Sequence, residues 1–509
     1  MGIIKRQSLK TSLVNYLGVL IGVIFFNFIF PHFIDEEHLG LIGLFQNLSI
    51  VLATFPGMGL AYVLLRYAPI WKDNDILPQF HRFSLIAISL ALVGFACLFY
   101  FFQSELVSWY AGRSPLFLPY AYLIVPLVAV YTYTQYIELF AMTKMRVAVP
   151  AFLREIVTRV LLIFLLYAFA MQWISEKQWI YGLVLVYALS GIILFLYAMK
   201  TLQFRIATSS HLRLDKKEKK EILVYAATMM LMLTAGNLHN FIDGIILPAY
   251  LGLGALGIYM RPLVLGQMIQ VPYRAISLIS IPIIREAMVD NDLKKVCDLN
   301  KSIGLNLFLI GTFLFAGLVA CADPLLSMLP EQYAQGRFVL YIIGLGRLID
   351  MAFGLNSEIL NYSNHYKQML YLTIVMMVIT VGLDIILIPK LGMNGAALAV
   401  SISLTVFNVL KSILIYKHYR FHCFSKHYIT LVVIMLLVIA LMQQIPLIMF
   451  IDHHRFMNAA VNVGFKAILS ALCFLLPTYF FSISPDLNQF IHLIASGKIF
   501  KGGHKMEEL

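Results

Sequence analysis

The chain has 509 residues, 61% of them hydrophobic and 13% charged, with a formal net charge of +12. A soluble domain carries about 25% charged residues, so a chain this long and this apolar has more nonpolar surface than a water-facing fold hides; that excludes a soluble globular protein and makes the bilayer its solvent. The positive charge would suit a nucleic acid, but its placement along the chain excludes that reading.

A helix needs about 20 mostly apolar residues to cross the hydrocarbon core. Such runs lie at 11–33, 40–65, 83–103, 117–143, 150–171 and 180–199. After a polar stretch they resume at 222–247, 255–283, 302–322, 338–361, 368–389, 393–416, 428–446 and 458–482. The runs are continuous and rich in Leu and Ile, so they predict about fourteen transmembrane helices and not the alternating strands of a membrane barrel. The first run follows Lys5, Arg6 and Lys10, is longer than a signal-peptide core and lacks a small-residue cleavage site. It is therefore expected to stay as the first helix.

With the N-terminus inside, 26 of the 38 Lys and Arg residues fall in inner segments and five in outer ones (Arg113, Lys177, Arg337, Lys390 and Arg455). This asymmetry fits the positive-inside rule, so the basic residues set topology and place both termini in the cytoplasm. The longest inner segment, 200–221, holds Lys216-Lys217-Glu218-Lys219-Lys220 and reads as a solvated linker facing anionic headgroups. The expected organisation is a six-helix lobe at 1–199, that linker, a second six-helix lobe at 222–416, two additional helices at 417–482 and a tail at 483–509. In the tail, Leu487, Phe490, Ile491 and Ile494 have the spacing of an amphipathic helix on the inner surface.

An internal repeat supports the division. FIFPHFIDEEHLGLI from Phe28 and IILPAYLGLGALGIY from Ile245 align Pro31 with Pro248 and Leu39-Gly40 with Leu256-Gly257, with nine residues from Pro to Gly in both. Both stretches lie in outer loops, so the repeat is parallel, about an axis along the membrane normal, and transporters bind substrate between such repeats. The alternative is a generic Pro/Gly membrane turn. The five cysteines (Cys97, Cys297, Cys321, Cys423 and Cys473) form no CxxC pair, so neither disulfides nor a zinc site is expected. His418, His422 and His427 with Cys423, and His453-His454, are at most loose metal patterns.

Three stretches carry a family resemblance: EEHLGLIGLFQNLSIVLATFPGMGLAYVLLRYAP, IDGIILPAYLGLGALGIYMRPLVLGQMIQVPYRAISLISIPIIREA and DIILIPKLGMNGAALAVSIS. In their order and spacing they resemble the polysaccharide (O-antigen and capsule) flippases of the multidrug/oligosaccharidyl-lipid/polysaccharide exporter superfamily. The resemblance spans roughly residues 5–480. It implies an all-α membrane fold of two pseudo-symmetric six-helix bundles plus two extra helices, located in the bacterial inner membrane. It also implies alternating access, a polyprenyl-pyrophosphate-linked oligosaccharide as cargo, and a polysaccharide polymerase and glycosyltransferases as partners. Where the peptidoglycan-precursor branch carries an arginine, this chain has Gln267, and helix 1 after Lys10 has no charge. An O-antigen-like or capsular cargo is therefore expected. The competing readings are a cation-coupled drug antiporter of the same fold and an integral membrane polymerase or ligase. The former lacks its usual acidic residue in helix 1, and the latter would need long catalytic outer loops.

A charge at the bilayer centre costs about 2.5–3.5 kcal/mol on insertion scales, so residues bearing it face a cavity, a partner or an interface. The basic ones are Arg154, Arg159, Arg261, Arg274, Arg347, Lys411 and Lys466. Arginine offers a planar fork that suits a pyrophosphate. Arg261 and Arg274, on helix 8 at the boundary between the repeats, are the first choices for that group, with snorkelling as the alternative. Arg154, Arg347 and Gln267 complete the candidate substrate site. Glu155 and Arg159, spaced i, i+4, can neutralise each other and leave Arg154 without a local partner. Arg347 and Asp350 are spaced i, i+3, and Lys411, a turn from its helix end, reads as snorkelling. The acidic candidates are Glu138, Asp243 and Asp384. By resemblance, Asp243, Asp384 and Ser403 form a site for a coupling Na+ or H+, carboxylates and hydroxyls being the ligands a hard cation needs; helix–helix hydrogen bonding is the alternative. No other cofactor and no catalytic residue is expected. Tyr122, Tyr131, Tyr133 and Tyr136 on helix 4 either stack on sugars or form an interfacial belt.

Overall fold

The computed structural model of the chain describes residues 14, 17–71, 76–207, 215–363, 365–447, 455–484 and 488. The expected amphipathic tail helix and His453-His454 lie outside them. Among the described residues there is no strand, and ten helices are long and apolar enough to cross a membrane. In chain order the fourteen segments are α1 (Leu17–His32), α2 (Glu36–Gly57, then Leu60–Tyr67), α3 (Ile76–Ala111), α4 (Pro115–Thr143), α5 (148–170), α6 (Glu176–Thr201), α7 (Lys216–Phe241, then Asp243–Leu251) and α8 (253–289). Then follow α9 (Leu293–Ala320), α10 (Arg337–Ala352, then Asn356–Asn361), α11 (Tyr366–Leu391), α12 (Met393–Tyr419), α13 (His427–Gln444) and α14 (Arg455–Phe480). Each apolar run read from the sequence falls on one of them. The four not among the ten are α1, which is short and turns π-helical at Val23–Ile29, and three interrupted helices. A π-turn interrupts α5 at Leu153–Val157, a 3-10 turn interrupts α8 at Met268–Gln270, and a break at 353–355 divides α10.

Local chemistry sets the ends. Asp35 caps α2, accepting from the His38 N–H at 3.0 Å, and the side-chain hydrogen bond from His38 holds the Asp35 carboxyl below the usual carboxylate range. Ser175 and Gln178 form a capping box on α6, and the Asp215 N–H donates to Glu218 at the start of α7. The basic run Lys216–Lys220 is thus the exposed first turn of α7. α2 breaks at Met58 and Gly59, both at positive φ; a Cβ on Gly59 would fall on the Ala226 carbonyl of α7. Only glycine allows that backbone conformation and that approach together.

Contacts divide the chain into two compact units, Met1–Arg261 with Met377–Ala396, and Pro262–Met376 with Ala397–Leu509. α2 is the core of the first. Its Leu41, Leu44, Phe45 and Leu48 are buried, and it packs against α4 and α7. In the second unit α9 is central, packed on α10, α13 and α14; Phe308 stacks on Tyr428 with ring centroids 4.5 Å apart. Large apolar side chains such as Leu90, Tyr100 and Phe101 of α3 remain exposed. That is the expected outer surface of a protein whose solvent is lipid, so the chain is a multi-pass membrane protein.

The internal repeat has a physical counterpart inside the first unit. A Cβ on Gly40 would fall on the Leu253 carbonyl, and one on Gly257 would fall on the Glu36 carbonyl. In the repeat alignment Gly40 corresponds to Gly257 and Glu36 to Leu253, so these are the same contact made twice. Gly43, which corresponds to Met260, packs against Met260 itself. Equivalent residues meeting one another in order is the signature of two parallel helices related by a pseudo-two-fold axis running along them.

Candidate functional site

In the first unit, α4 and α5 bring together a chain of charges of alternating sign. Arg154 Nη1 donates to Glu138 Oε2 at 2.9 Å and its Nε to Glu155 Oε1 at 3.0 Å. Arg159 Nη2 donates to Glu155 Oε2 at 2.8 Å, and its Nη1 reaches the Gly18 carbonyl of α1. The expected Glu155–Arg159 pair is present, but Arg154 is not left over: Glu138, sixteen residues earlier on another helix, is its second partner. Exposure is uneven. The Arg154 side chain is 56% exposed, while those of Glu138 and Glu155 are 19% and 18%. Arg154 is the most open side chain of an otherwise covered network. The π-turn at Leu153–Val157 contains both Arg154 and Glu155.

On the Arg159 side of this network lies a small cavity of about 10 Å³, room for a single water, lined by Ile42, Phe45, Gln46, Leu127, Tyr131, Leu183 and Tyr187. The Gln46 amide donates to the Tyr187 hydroxyl, the Tyr131 and Tyr187 rings are 5.5 Å apart, and Arg159 is within electrostatic reach of Tyr187. Of Tyr122, Tyr131, Tyr133 and Tyr136, Tyr131 alone lines this cavity. Tyr122 bonds Tyr181, Tyr133 bonds Ser89 at 2.7 Å, and Tyr136 is buried on His81 at 3.0 Å.

The first unit also holds Asp243 and Asp384, within electrostatic reach of each other. Asp243 accepts from the Tyr259 hydroxyl at 2.5 Å and the Gly244 N–H at 2.8 Å. One turn earlier on α7, His239 bonds Thr380 of α11 at 2.8 Å. Asp384 is fully buried, and among the described residues no hydrogen bond reaches either of its carboxylate oxygens. A carboxylate in that position is costly unless a proton or a cation joins it, so the pair fits the coupling ion that the sequence implies. Ser403 belongs to the second unit and donates to Ala399 within its own helix at 2.6 Å.

Of the remaining candidates, Arg261 is buried at the end of the first unit; Arg274 is exposed and Gln267 half-buried in the second. Arg347 and Asp350 are bridged by Gln270, which accepts from Arg347 at 3.2 Å and donates to Asp350; Asn408 donates to Asp350 at 2.7 Å. Lys411 does not snorkel. It is 3% exposed, donates to Ser357 at 2.7 Å and lies near Asp350 and Glu358. Glu358, which the sequence reading passed over, is buried and accepts from Tyr273 at 3.0 Å and from Ser277. Lys466 caps α13 through the Met442 carbonyl at 3.2 Å. Among the described residues no three His, Cys, Asp or Glu side chains gather into a metal site; His418 stacks on His365 at 3.6 Å.

Comparison with known proteins bears on what such a membrane fold does. A family model described as polysaccharide biosynthesis protein matches residues 4–288. No curated protein matches the chain in sequence. Among solved structures, the chain is similar to the lipid II flippase MurJ in an inward closed conformation, with a TM-score of 0.68 and 13% identity over 92% of this chain and 99% of that one. It is also similar to an inward-facing MATE family multidrug resistance transporter of the MOP superfamily, with a TM-score of 0.61 and 14% identity over 80% and 98%. A third similar structure is a MOP superfamily transporter from Pyrococcus furiosus, with a TM-score of 0.53 and 15% identity over 82% and 95%. At such identities the likeness is one of fold.

Proposed function

The chain belongs to the polysaccharide biosynthesis protein family, and from that premise we propose that it is a flippase for a polyprenyl-pyrophosphate-linked oligosaccharide. It works by alternating access in the bacterial inner membrane, with both termini cytoplasmic. Its cargo serves O-antigen, capsule or exopolysaccharide synthesis, and a polymerase and glycosyltransferases act on the same lipid-linked glycan. The observation that carries this reading is the half-exposed Arg154 side chain, held by two covered carboxylates. A guanidinium suits the pyrophosphate. Arg261 is the further polar position of the same unit assigned to the headgroup. Coupling to Na+ or H+ is assigned to Asp243 and Asp384 of the first unit.

The drug-antiporter alternative needs a carboxylate in the first lobe for a cationic drug to meet. Glu138 and Glu155 are both bonded to arginines, which favours an anionic cargo. A reconstituted system tests the reading. Vesicles carrying the protein and a fluorescent polyprenyl-pyrophosphoryl glycan are treated with an impermeant quencher. Loss of nearly all the fluorescence is expected, against about half in empty vesicles. Quenching stuck at the empty-vesicle level, with accumulation of a cationic dye instead, would replace the flippase with the antiporter.

A further inference from the structure

Glu138, Arg154, Glu155 and Arg159 form one chain of contacts, but the two carboxylates in it are not equivalent. Among the described residues, Glu155 touches two guanidinium groups and Glu138 only one. A pyrophosphate arriving at Arg154 needs part of the planar fork that the two carboxylates share. The partner it displaces is the one held by a single contact, Glu138. Once its cation has turned to another anion, a mostly covered carboxylate on a membrane-crossing helix is stabilised by gaining a proton. The other groups facing Glu138 do not substitute for that cation. Tyr62 of α2 is an uncharged phenol at neutral pH, and Glu155 of α5 adds a like charge. Arg159 is bonded to Glu155 and to the Gly18 carbonyl.

We propose that Glu138 takes up a proton when Arg154 accepts a pyrophosphate diester, so that headgroup and proton are bound together in the first unit. The proton comes from water and forms an O–H bond at Glu138 Oε2, while the Arg154 Nη1 contact to that oxygen opens; no covalent bond in the ligand changes. Linkage makes the effect reciprocal: a protonated Glu138 raises the affinity of Arg154 for the anion by the factor by which the anion raises proton affinity at Glu138. This rests on the placement of the headgroup at Arg154 given above.

The test is calorimetric titration of the full chain in detergent with farnesyl-pyrophosphoryl-N-acetylglucosamine, in buffers of different protonation enthalpy. The probe is a pyrophosphate diester with no proton that titrates near neutral pH, so any uptake belongs to the protein. The wild type is expected to take up about one proton per ligand and to lose about tenfold in affinity per pH unit once Glu138 is charged in the free protein. E138Q is expected to bind with no uptake and a flat pH profile. Uptake that persists in E138Q, or binding by the wild type without uptake, would overturn the proposal alone. Absence of any binding by the wild type would instead remove the headgroup site on which it rests. Should E138Q fail to fold, E138D serves: uptake is kept and the pH midpoint of binding moves, whereas an unmoved midpoint overturns the proposal.

Discussion

Arg154 and Lys411 both carry a positive charge on a membrane-crossing helix, but their surroundings point to different roles. Lys411 is sealed, with Ser357 as hydrogen-bond partner and Asp350 and Glu358 nearby, so its role is structural. Removing one member of a buried, paired set costs about 3 kcal/mol or more, because the others stay charged and covered. K411M is therefore expected to lower the melting temperature in detergent markedly, and K411M/E358Q to recover part of the loss in a double-mutant cycle; additive losses would show that the two groups are not coupled. Arg154 keeps an open face. R154A is expected to slow glycan movement at least about tenfold, the equivalent of ~1.4 kcal/mol, and R154K to recover only part, because an ammonium lacks the bidentate fork. Of these residues, periodicity reveals only the pair on one helix, Glu155 and Arg159. Glu138 meets Arg154 from another helix, and Lys411 looks like a snorkelling residue because it sits a turn from its helix end. Ser357, Glu358 and Asp350, all on α10 and more than 50 residues earlier, are brought close only by the fold.

At the scale of elements, the interrupted helices stand out. α5 unwinds into a π-turn at Arg154 and Glu155, α8 tightens at Met268–Gln270 beside Arg347, and α10 breaks at 353–355 just before Ser357 and Glu358. Each of these three interruptions lies at or beside a charged cluster, and irregular backbone at membrane depth is tolerated where protein or a polar cavity satisfies it. The α10 break shows how. Buried Asn300 accepts from the Leu355 N–H at 2.9 Å and donates to Asn356 at 3.1 Å. N300A leaves that N–H unpaired and is expected to cost about 1–3 kcal/mol, read as a lower melting temperature; an unchanged one would mean the break is held otherwise. The apolar runs were legible because hydropathy registers a helix regardless of its bends. The bends were not legible, since they depend on partners such as Asn300, 55 residues away from Leu355.

For the whole molecule, the repeat in the sequence and the paired contacts of Gly40 and Gly257 describe the same pseudo-two-fold relation. The Pro-to-Gly spacing could be read from the sequence as a pattern, but the packing of Gly43 on Met260 could not, because the pattern does not say that the equivalent helices touch. A side chain at Gly40 has no room beside the Leu253 carbonyl, so G40L is expected to abolish accumulation of folded protein. Normal yield and melting temperature would contradict the tight pairing. The charge asymmetry makes a separate prediction: an impermeant thiol reagent should reach R113C and K217C from opposite sides of the membrane, and labelling of both from one side would break the topology. The central claim is that this membrane fold reads an anionic, sugar-bearing headgroup through the arginine fork of its first unit. It is tested most directly by flipping rates in vesicles, for a polyprenyl-pyrophosphoryl glycan and for a neutral glycolipid with the same sugar and tail, in the wild type and R154A. The account predicts fast movement of the pyrophosphoryl glycan alone, lost in R154A; equal movement of both lipids, untouched by R154A, would contradict it.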